Sequence, residues 1–233
     1  FRYHILSEIK ETLVTTSGKL LSFGWLILIV GVLLSVFQQF VGINVVLYYA
    51  PEIFKNMGSG TNTSLLQTII VGIINISFTV LAIYAVDRFG RKQLQIIGAL
   101  GMAFFMMMLG CSFFFNQLGM VAVIAMLGYV GCFAFSWGPV VWVLLSEIFP
   151  NKIRGKAMSI AVAAQWISNL LVSWTFPMLN NSTALTNAFH HGFSYWIYGV
   201  ISLLAALFMW KLVPETKGKT LEEIEHFWSK RVK

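Results

Sequence analysis

The chain has 233 residues, of which 58% are hydrophobic and only 11% are charged, against about 25% charged in an ordinary soluble domain. Asp, Glu, Lys and Arg are absent from the ranges 20–51, 56–86, 94–146 and 157–210. Each range is long enough for one membrane crossing of about 20 residues, and the last two are long enough for two. The composition excludes a soluble enzyme, a nucleic-acid-binding domain and a disordered tail, and it predicts an all-α integral membrane protein.

An amphipathic helix is predicted before the first apolar stretch, because apolar residues recur at helical spacing within residues 1–21. A second is predicted after the last stretch, where Thr220 and Glu223 form a capping box. We therefore divide the chain into a cytoplasmic helix (1–21), a membrane unit (22–213) and a cytoplasmic C-terminal segment (214–233).

Six membrane spans are predicted within the membrane unit. Charge clusters and short polar segments separate the apolar stretches and are typical of loops. The predicted spans are 22–50, 65–86, 94–115, 119–145, 157–179 and 192–213.

Basic residues predict the orientation of these spans. Of the 16 Lys and Arg residues, all but Lys55 fall at one end of the spans, and such an excess is typical of cytoplasmic loops. Both termini are therefore expected in the cytoplasm. The net charge of +7 reflects this topology and does not indicate a nucleic-acid partner.

Asp, Glu and Arg are missing from the predicted spans; Glu147 lies at the inner end of the fourth, just past its last residue, and Lys211 lies at the inner end of the sixth. This removes a proton relay or an ion pathway from this chain taken alone. Catalytic motifs such as HExxH and GxSxG are also missing, and the two cysteines have no ligand spacing. We expect no enzyme activity, no metal and no cofactor.

Carboxamides inside the predicted spans are the main functional signal: Gln38, Gln39 and Asn44 in the first, and Gln165 and Asn169 in the fifth. An unpaired amide in hydrocarbon costs several kcal/mol, so five of them favour a polar cavity. A lone intramembrane amide more often joins two helices. Amides beside Trp and Tyr suit a neutral polyol such as a sugar, whereas no charge is available to meet an ionic substrate.

Interruptions are predicted in the first and fourth spans. The first span, 22–50, would be about 43 Å long as a straight helix, against a hydrocarbon core of about 30 Å, and Gly42 is its expected break. Gly138-Pro139 interrupts the fourth, where Pro139 would free backbone groups inside the helix. Broken helices in corresponding members of two triplets predict a 3+3 repeat and indicate a transporter binding site.

Five motifs, in order along the chain, resemble those of the sugar porter family of the major facilitator superfamily. They are QQFVGINVVLYY at 38–49, DRFGRK at 87–92, GPVVW at 138–142, EIFPNKIRG at 147–155 and PETKG at 214–218. Family members have twelve spans in two six-helix halves, and the likeness implies that this chain is the C-terminal half. Lipid bilayer and a monosaccharide are its implied partners.

The resemblance also implies roles for individual residues. Hydrogen bonds to the sugar are implied for Gln38, Gln39, Asn44, Tyr48, Trp142 and Gln165, and pocket lining for Gly138 and Trp166. A charge network closing an inner gate is implied for Arg88, Arg91, Glu147, Arg154 and Glu215. These charges could instead only anchor topology, but acids and bases are mixed, whereas orientation needs bases alone.

The implied activity is D-xylose:proton symport across a bacterial inner membrane, with D-glucose as another possible substrate. The coupling carboxylate of such symporters belongs to the N-terminal half, so protons would be coupled through that half. One alternative is half of a facilitative hexose transporter. Another is a truncated or split-gene product without transport activity alone, which the first residue, Phe1 instead of Met, favours.

Overall fold

The computed structural model describes residues 25–56, 60–151 and 153–232. Within these ranges the secondary structure is helical, without strands. The helices are α1 Trp25–Phe40, α2 Ile43–Asn56, α3 Thr61–Phe89, α4 Arg91–Phe114, α5 Met120–Phe135, α6 Trp137–Ile148, α7 Arg154–Asn180, α8 Thr183–Phe189, α9 Phe193–Leu212 and α10 Leu221–Val232.

Six helical stretches in the described ranges are long and apolar enough to cross a membrane. The first combines α1 and α2, the fourth combines α5 and α6, and α3, α4, α7 and α9 are the others. The six predicted spans are therefore confirmed. The first ends later than predicted, because α2 continues past Pro51 and buries Ile53 and Phe54 in the core. This extension also brings the exposed carboxylate of Glu52 into the helix, which the predicted boundary had left outside.

The first and fourth spans are both broken, as the 3+3 repeat predicts. Helix α1 ends at Phe40 and α2 begins at Ile43, with Gly42 between them at φ 93°. The second break lies earlier than predicted, at Ser136 (φ −132°, ψ −82°). Pro139 therefore occupies the first turn of α6, where its missing N–H would have had no helical partner in any case. The predicted interruption of the fourth span is confirmed, but its predicted position at Gly138-Pro139 is wrong, because Pro139 lies in the first turn of a new helix.

Small residues allow the helices to pack closely. Helix α4 packs against α5 and α9, α1 packs against α7, and α3 packs against α5. A methyl group at Gly101 would lie 2.6 Å from Sγ of Cys132, so the approach of α4 to α5 depends on the absence of a side chain there. The largest fully buried side chains include Trp137, Tyr129, Tyr195, Phe149 and Phe176.

The segments outside the spans are only partly as predicted. The capping box of α10 is confirmed: the Thr220 amide donates to Glu223 (3.0 Å), and the Glu223 amide donates to Oγ1 of Thr220 (3.3 Å). Helix α8 was not predicted; it lies between the fifth and sixth spans. The predicted helix at 1–21 lies outside the described residues.

Candidate functional site

The break at Gly42 brings together two amides that a straight helix would separate. Gln39 lies in the last turn of α1 and Asn44 in the first turn of α2, and Nδ2 of Asn44 donates to Oε1 of Gln39 at 2.5 Å. The hydroxyl of Tyr129 donates to the carbonyl oxygen of Val41 (2.8 Å). The backbone freed by the break is thus held by α5, as a non-helical segment inside a membrane protein requires.

Gln38 connects this break to the break in the fourth span. Its Nε2 donates to the carbonyl oxygens of Trp137 (2.9 Å) and Gly138 (3.2 Å) at the start of α6. The indole Nε1 of Trp137 donates to the backbone carbonyl of Gln95 on α4 (2.9 Å). The amide nitrogen of Gln38 is therefore occupied, while its Oε1 is buried without a hydrogen-bond partner in the described structure.

Helix α7 presents a buried polar face that includes Gln165 and Asn169. Nδ2 of Asn169 lies 3.5 Å from the hydroxyl of Tyr48, at the limit of a hydrogen bond, and Oδ1 of Asn169 accepts from Ser173 (3.1 Å). The hydroxyl of Tyr49 donates to the carbonyl oxygen of Ser173 (3.1 Å). Oε1 of Gln165, like that of Gln38, is buried without a partner among the described residues.

The predicted aromatic residues remain largely open. Tyr48 is 56% exposed, Trp142 is 39% exposed and Trp166 is 60% exposed. Trp166 lies one turn from the exposed Leu170 on α7, and no described hydrogen bond joins either tryptophan to the amides. Hydrogen bonds in the described structure therefore join three pairs of predicted site residues: Gln38 with Gly138, Gln39 with Asn44, and Tyr48 with Asn169. The other predicted site residues, Trp142, Gln165 and Trp166, have no such hydrogen bond.

At the charged end of the bundle, the tail after α9 is bound to the loops. Arg91 pairs with Glu147 (Nη2 to Oε1, 3.0 Å) and with Asp87 (Nη1 to Oδ1, 2.9 Å). The other carboxylate oxygen of Glu147 accepts from the hydroxyl of Thr216. One network thus contains three of the predicted gate residues, Arg91, Glu147 and Glu215. Glu215 belongs to it because it precedes Thr216 in the chain and binds α4 directly.

Glu215 caps the N-terminus of α4. Its carboxylate accepts from the backbone amides of Arg91 (3.0 Å) and Lys92 (3.1 Å), and also from those of Thr216 (3.0 Å) and Lys217 (3.1 Å). Gly90, at φ 93°, has no side chain to cap the helix itself, and a methyl group there would lie 2.8 Å from Oε2 of Glu215. A carboxylate at this position satisfies helix N–H groups and is favoured by the helix dipole.

Arg88 and Arg154 take no part in an ion pair with any described residue. The backbone carbonyl of Arg88 accepts from Nζ of Lys217 (2.7 Å). Nε of Arg154 donates to the carbonyl oxygen of Phe149 (3.3 Å), and its Nη2 is buried without a described partner. The charge network is therefore smaller than the set of five residues that the motifs predict.

The sequence did not single out several residues that contact the buried amides or the charge network. Ser173 holds Asn169 and Tyr49, and Thr216 and Asp87 bind the charge network. Thr216 and Asp87 lie inside two of the family motifs, so their positions offered a signal. Ser173 lies four residues after Asn169, a spacing that can bring two side chains of a helix together. A single serine in a helix, however, most often bonds its own backbone.

The sequence and the fold both match known sugar transporters. The family model "Sugar (and other) transporter" matches residues 5–228. The D-xylose-proton symporter of Escherichia coli K12 is 64% identical over 231 residues, covering 98% of this chain and 47% of that protein. The glucose facilitated diffusion protein of Zymomonas mobilis is 50% identical over 213 residues, covering 91% of this chain and 45% of that protein.

A solved structure agrees with these matches. The major facilitator superfamily proton:xylose symporter XylE bound to 6-bromo-6-deoxy-D-glucose has a TM-score of 0.82 and 64% identity, covering 97% of this chain and 48% of that one. The chain thus spans about half the length of the relatives that it matches. It belongs to the sugar transporter family of the major facilitator superfamily, and its six-helix fold matches about half of a solved member.

Proposed function

We propose that the chain carries the C-terminal half of the sugar site in a transporter that moves D-xylose together with protons by alternating access. The observation that carries this proposal concerns Oε1 of Gln38 and Oε1 of Gln165, two of the four glutamine oxygens that are buried without a described partner. These two lie on α1 and α7, which pack against each other. Both side chains are almost completely buried. Buried acceptors are normally satisfied, so these two call for a donor that the described protein does not supply.

Sugar hydroxyls are suitable donors. Each hydroxyl of a neutral polyol donates one hydrogen bond and can accept others, so two hydroxyls of one sugar can donate to the two orphan oxygens, while other groups of the sugar bond Asn44 and Tyr48. The carbonyl contacts of Gln38 fix its side chain, so that its oxygen is oriented before a ligand arrives. The exposed rings of Tyr48 and Trp142 offer apolar faces for the C–H surface of the same ligand.

D-xylose is the proposed substrate because the E. coli relative, at 64% identity, is called a D-xylose-proton symporter. The Z. mobilis relative is called a glucose facilitated diffusion protein, so D-glucose and facilitated diffusion are the alternatives. Within the described spans of this chain, Glu147 and Asp87 are already paired with Arg91, and Glu52 is exposed near the end of α2. We therefore place proton coupling in the N-terminal half of the transporter.

The charged end is proposed to be the cytoplasmic side of a bacterial inner membrane, with both termini on that side, because basic residues accumulate there. The network of Arg91, Glu147 and Glu215 would then belong to the inner gate, which biases the carrier between its inward- and outward-facing states. Partly exposed pairs of this kind contribute about 0–1 kcal/mol each, so they tune a conformational equilibrium. The proposed role is transport, without enzyme activity.

The test is uptake of radiolabelled D-xylose by proteoliposomes that contain this chain alone, or this chain with a sugar-porter N-terminal half. Each is measured with and without an inward proton gradient, and D-glucose serves as the competitor. We expect gradient-driven accumulation only when both halves are present. Uptake that is insensitive to the gradient would favour facilitated diffusion. Gradient-driven uptake by this chain alone would refute the proposal that proton coupling belongs to the N-terminal half.

The site is tested separately by sugar affinity. Gln165→Ala removes one orphan oxygen, and we expect it to weaken D-xylose binding by about tenfold, or about 1.4 kcal/mol. Gln117→Ala is the matched control, because Gln117 is exposed in the loop after α4 and should leave affinity unchanged. Equal affinities in the wild type and both variants would rule out the assignment of Gln165 to the site.

A further inference from the structure

A cavity of about 410 Å³ lies at the end of the bundle opposite the charged loops. It is formed where α2, α4 and α8 end, and it is separate from the amides described above. Its lining includes Asn56, Phe113, Asn116, Leu118, His190 and His191. Two adjacent histidines at one cavity are unexplained by sugar transport.

Both histidines adopt an uncommon backbone conformation. His190 has φ 47° and His191 has φ 66°, directly after the end of α8. Residues other than glycine are rarely left-handed, and they persist in this conformation only where their surroundings fix it. The ring of His190 also packs against the ring of Phe114, with centroids 5.9 Å apart. The surroundings thus hold the two imidazoles in place.

Hydrogen bonds fix the tautomer of both rings. Nδ1 of His190 lies 2.8 Å from the carbonyl oxygen of Phe114, and Nδ1 of His191 lies 2.9 Å from the carbonyl oxygen of Asn180. A carbonyl oxygen can only accept, so each Nδ1 carries the proton and each neutral ring has its lone pair on Nε2. Histidines that bind metals characteristically have this arrangement, with the second nitrogen donating to a carbonyl.

We propose that His190 and His191 bind one divalent transition-metal ion, Zn²⁺ or Cu²⁺, through their Nε2 atoms at this cavity. Neutral imidazole is a preferred ligand of these ions, whereas Ca²⁺ and Mg²⁺ prefer carboxylate oxygens. Among the described residues, the lining includes no Asp or Glu, which disfavours the harder cations.

The protein supplies only part of the coordination shell. The described ranges contain no group of three or more His, Cys, Asp or Glu residues that could hold a metal. Two imidazoles therefore provide the strong ligands, and water or the amide oxygens of Asn56 and Asn116 complete the shell. Such a site is open to solvent and exchanges its metal readily.

The test is Cu²⁺ and Zn²⁺ binding to the whole chain, purified in detergent with an affinity tag that contains no histidine. We expect one Cu²⁺ per chain, with an electron paramagnetic resonance spectrum that reports two nitrogen ligands. His190→Gln and His191→Gln should each weaken Zn²⁺ binding by about tenfold or more, and Ca²⁺ and Mg²⁺ should not compete.

His226→Gln is the matched control, since His226 lies on α10 at the other end of the bundle, and it should leave affinity unchanged. Zn²⁺ affinity unaffected by either variant, or a Cu²⁺ spectrum with a single nitrogen ligand, would overturn the proposal. Chemical modification of the wild type by diethylpyrocarbonate provides a second readout that needs no variant. Zn²⁺ should protect His190 and His191 together, and protection of neither would also overturn the proposal.

Discussion

At the scale of single residues, Gly42 links the sequence prediction to the site. The sequence places Gln39 and Asn44 about 140° apart on a straight helix, and it predicts a break near Gly42 without saying what the break achieves. In the structure the break rotates α2 relative to α1, so that the two side chains form a hydrogen bond. The identity of both residues could be predicted, but not their contact, because a contact across a break depends on the backbone angles there.

Replacing Gly42 tests this dependence. Gly42→Ala should lower the free energy of unfolding by about 2 kcal/mol or more, because its φ is 93° and the new methyl group would lie 2.7 Å from Cγ of Tyr198. Gly72→Ala is the matched control: Gly72 lies inside α3 with open space around it, so the change should be neutral or slightly stabilising. Denaturant unfolding in one detergent measures both, and equal effects would contradict the prediction.

At the scale of elements, the tail after α9 acts as the cap of α4. The motif that contains Glu215 predicts that this residue is a charge of an inner gate. The structure adds a local role, since the carboxylate binds four backbone amides, two of them in the first turn of α4. Glu215 therefore caps a helix whose first residue, Arg91, lies 124 residues earlier in the chain, and its approach depends on the missing side chain of Gly90. No local pattern indicates a cap supplied from so far along the chain.

Removing the cap should loosen both segments at once. Glu215→Ala should speed hydrogen exchange in peptides covering 90–94 and in those covering 214–219, by the equivalent of about 0.5–2 kcal/mol for a lost helix cap. Glu222→Ala is the control, because Glu222 is exposed in the first turn of α10. Faster exchange in one of the two segments alone would show that they are not coupled through this carboxylate.

At the scale of the whole molecule, exposed residues of the candidate site and one buried nitrogen of Arg154 indicate what the second half of a transporter would contribute. Tyr48 and Trp142 are exposed. Nη2 of Arg154 is buried without a described partner, although Nε of the same side chain donates to the carbonyl oxygen of Phe149. A buried guanidinium nitrogen that donates no hydrogen bond is costly, so an acceptor from the other half is expected in at least one conformational state. Arg154 would then act on the balance between states more than on sugar affinity.

This expectation can be measured in the assembled transporter. Arg154→Ala should change the ratio of inward- to outward-facing molecules by a factor of about five, corresponding to about 1 kcal/mol, with little change in D-xylose affinity. Lys55→Ala removes an exposed positive charge at the opposite end and serves as the control. Spin-label distances between the halves report the ratio. Lost affinity with an unchanged ratio would contradict a role in the gate.

The sequence by itself determined the six spans, the presence of two interruptions and the family, and it predicted the residues of the candidate site. These features follow from local properties: apolar length, Gly and Pro positions, and short motifs. The tertiary structure decided which groups meet, including Gln38 with the carbonyls of α6, Glu215 with α4, and the two histidines with one cavity. It also moved the second break from Gly138-Pro139 to Ser136. The physical reason is that such contacts depend on how separate helices pack, and packing combines residues that are distant in the chain.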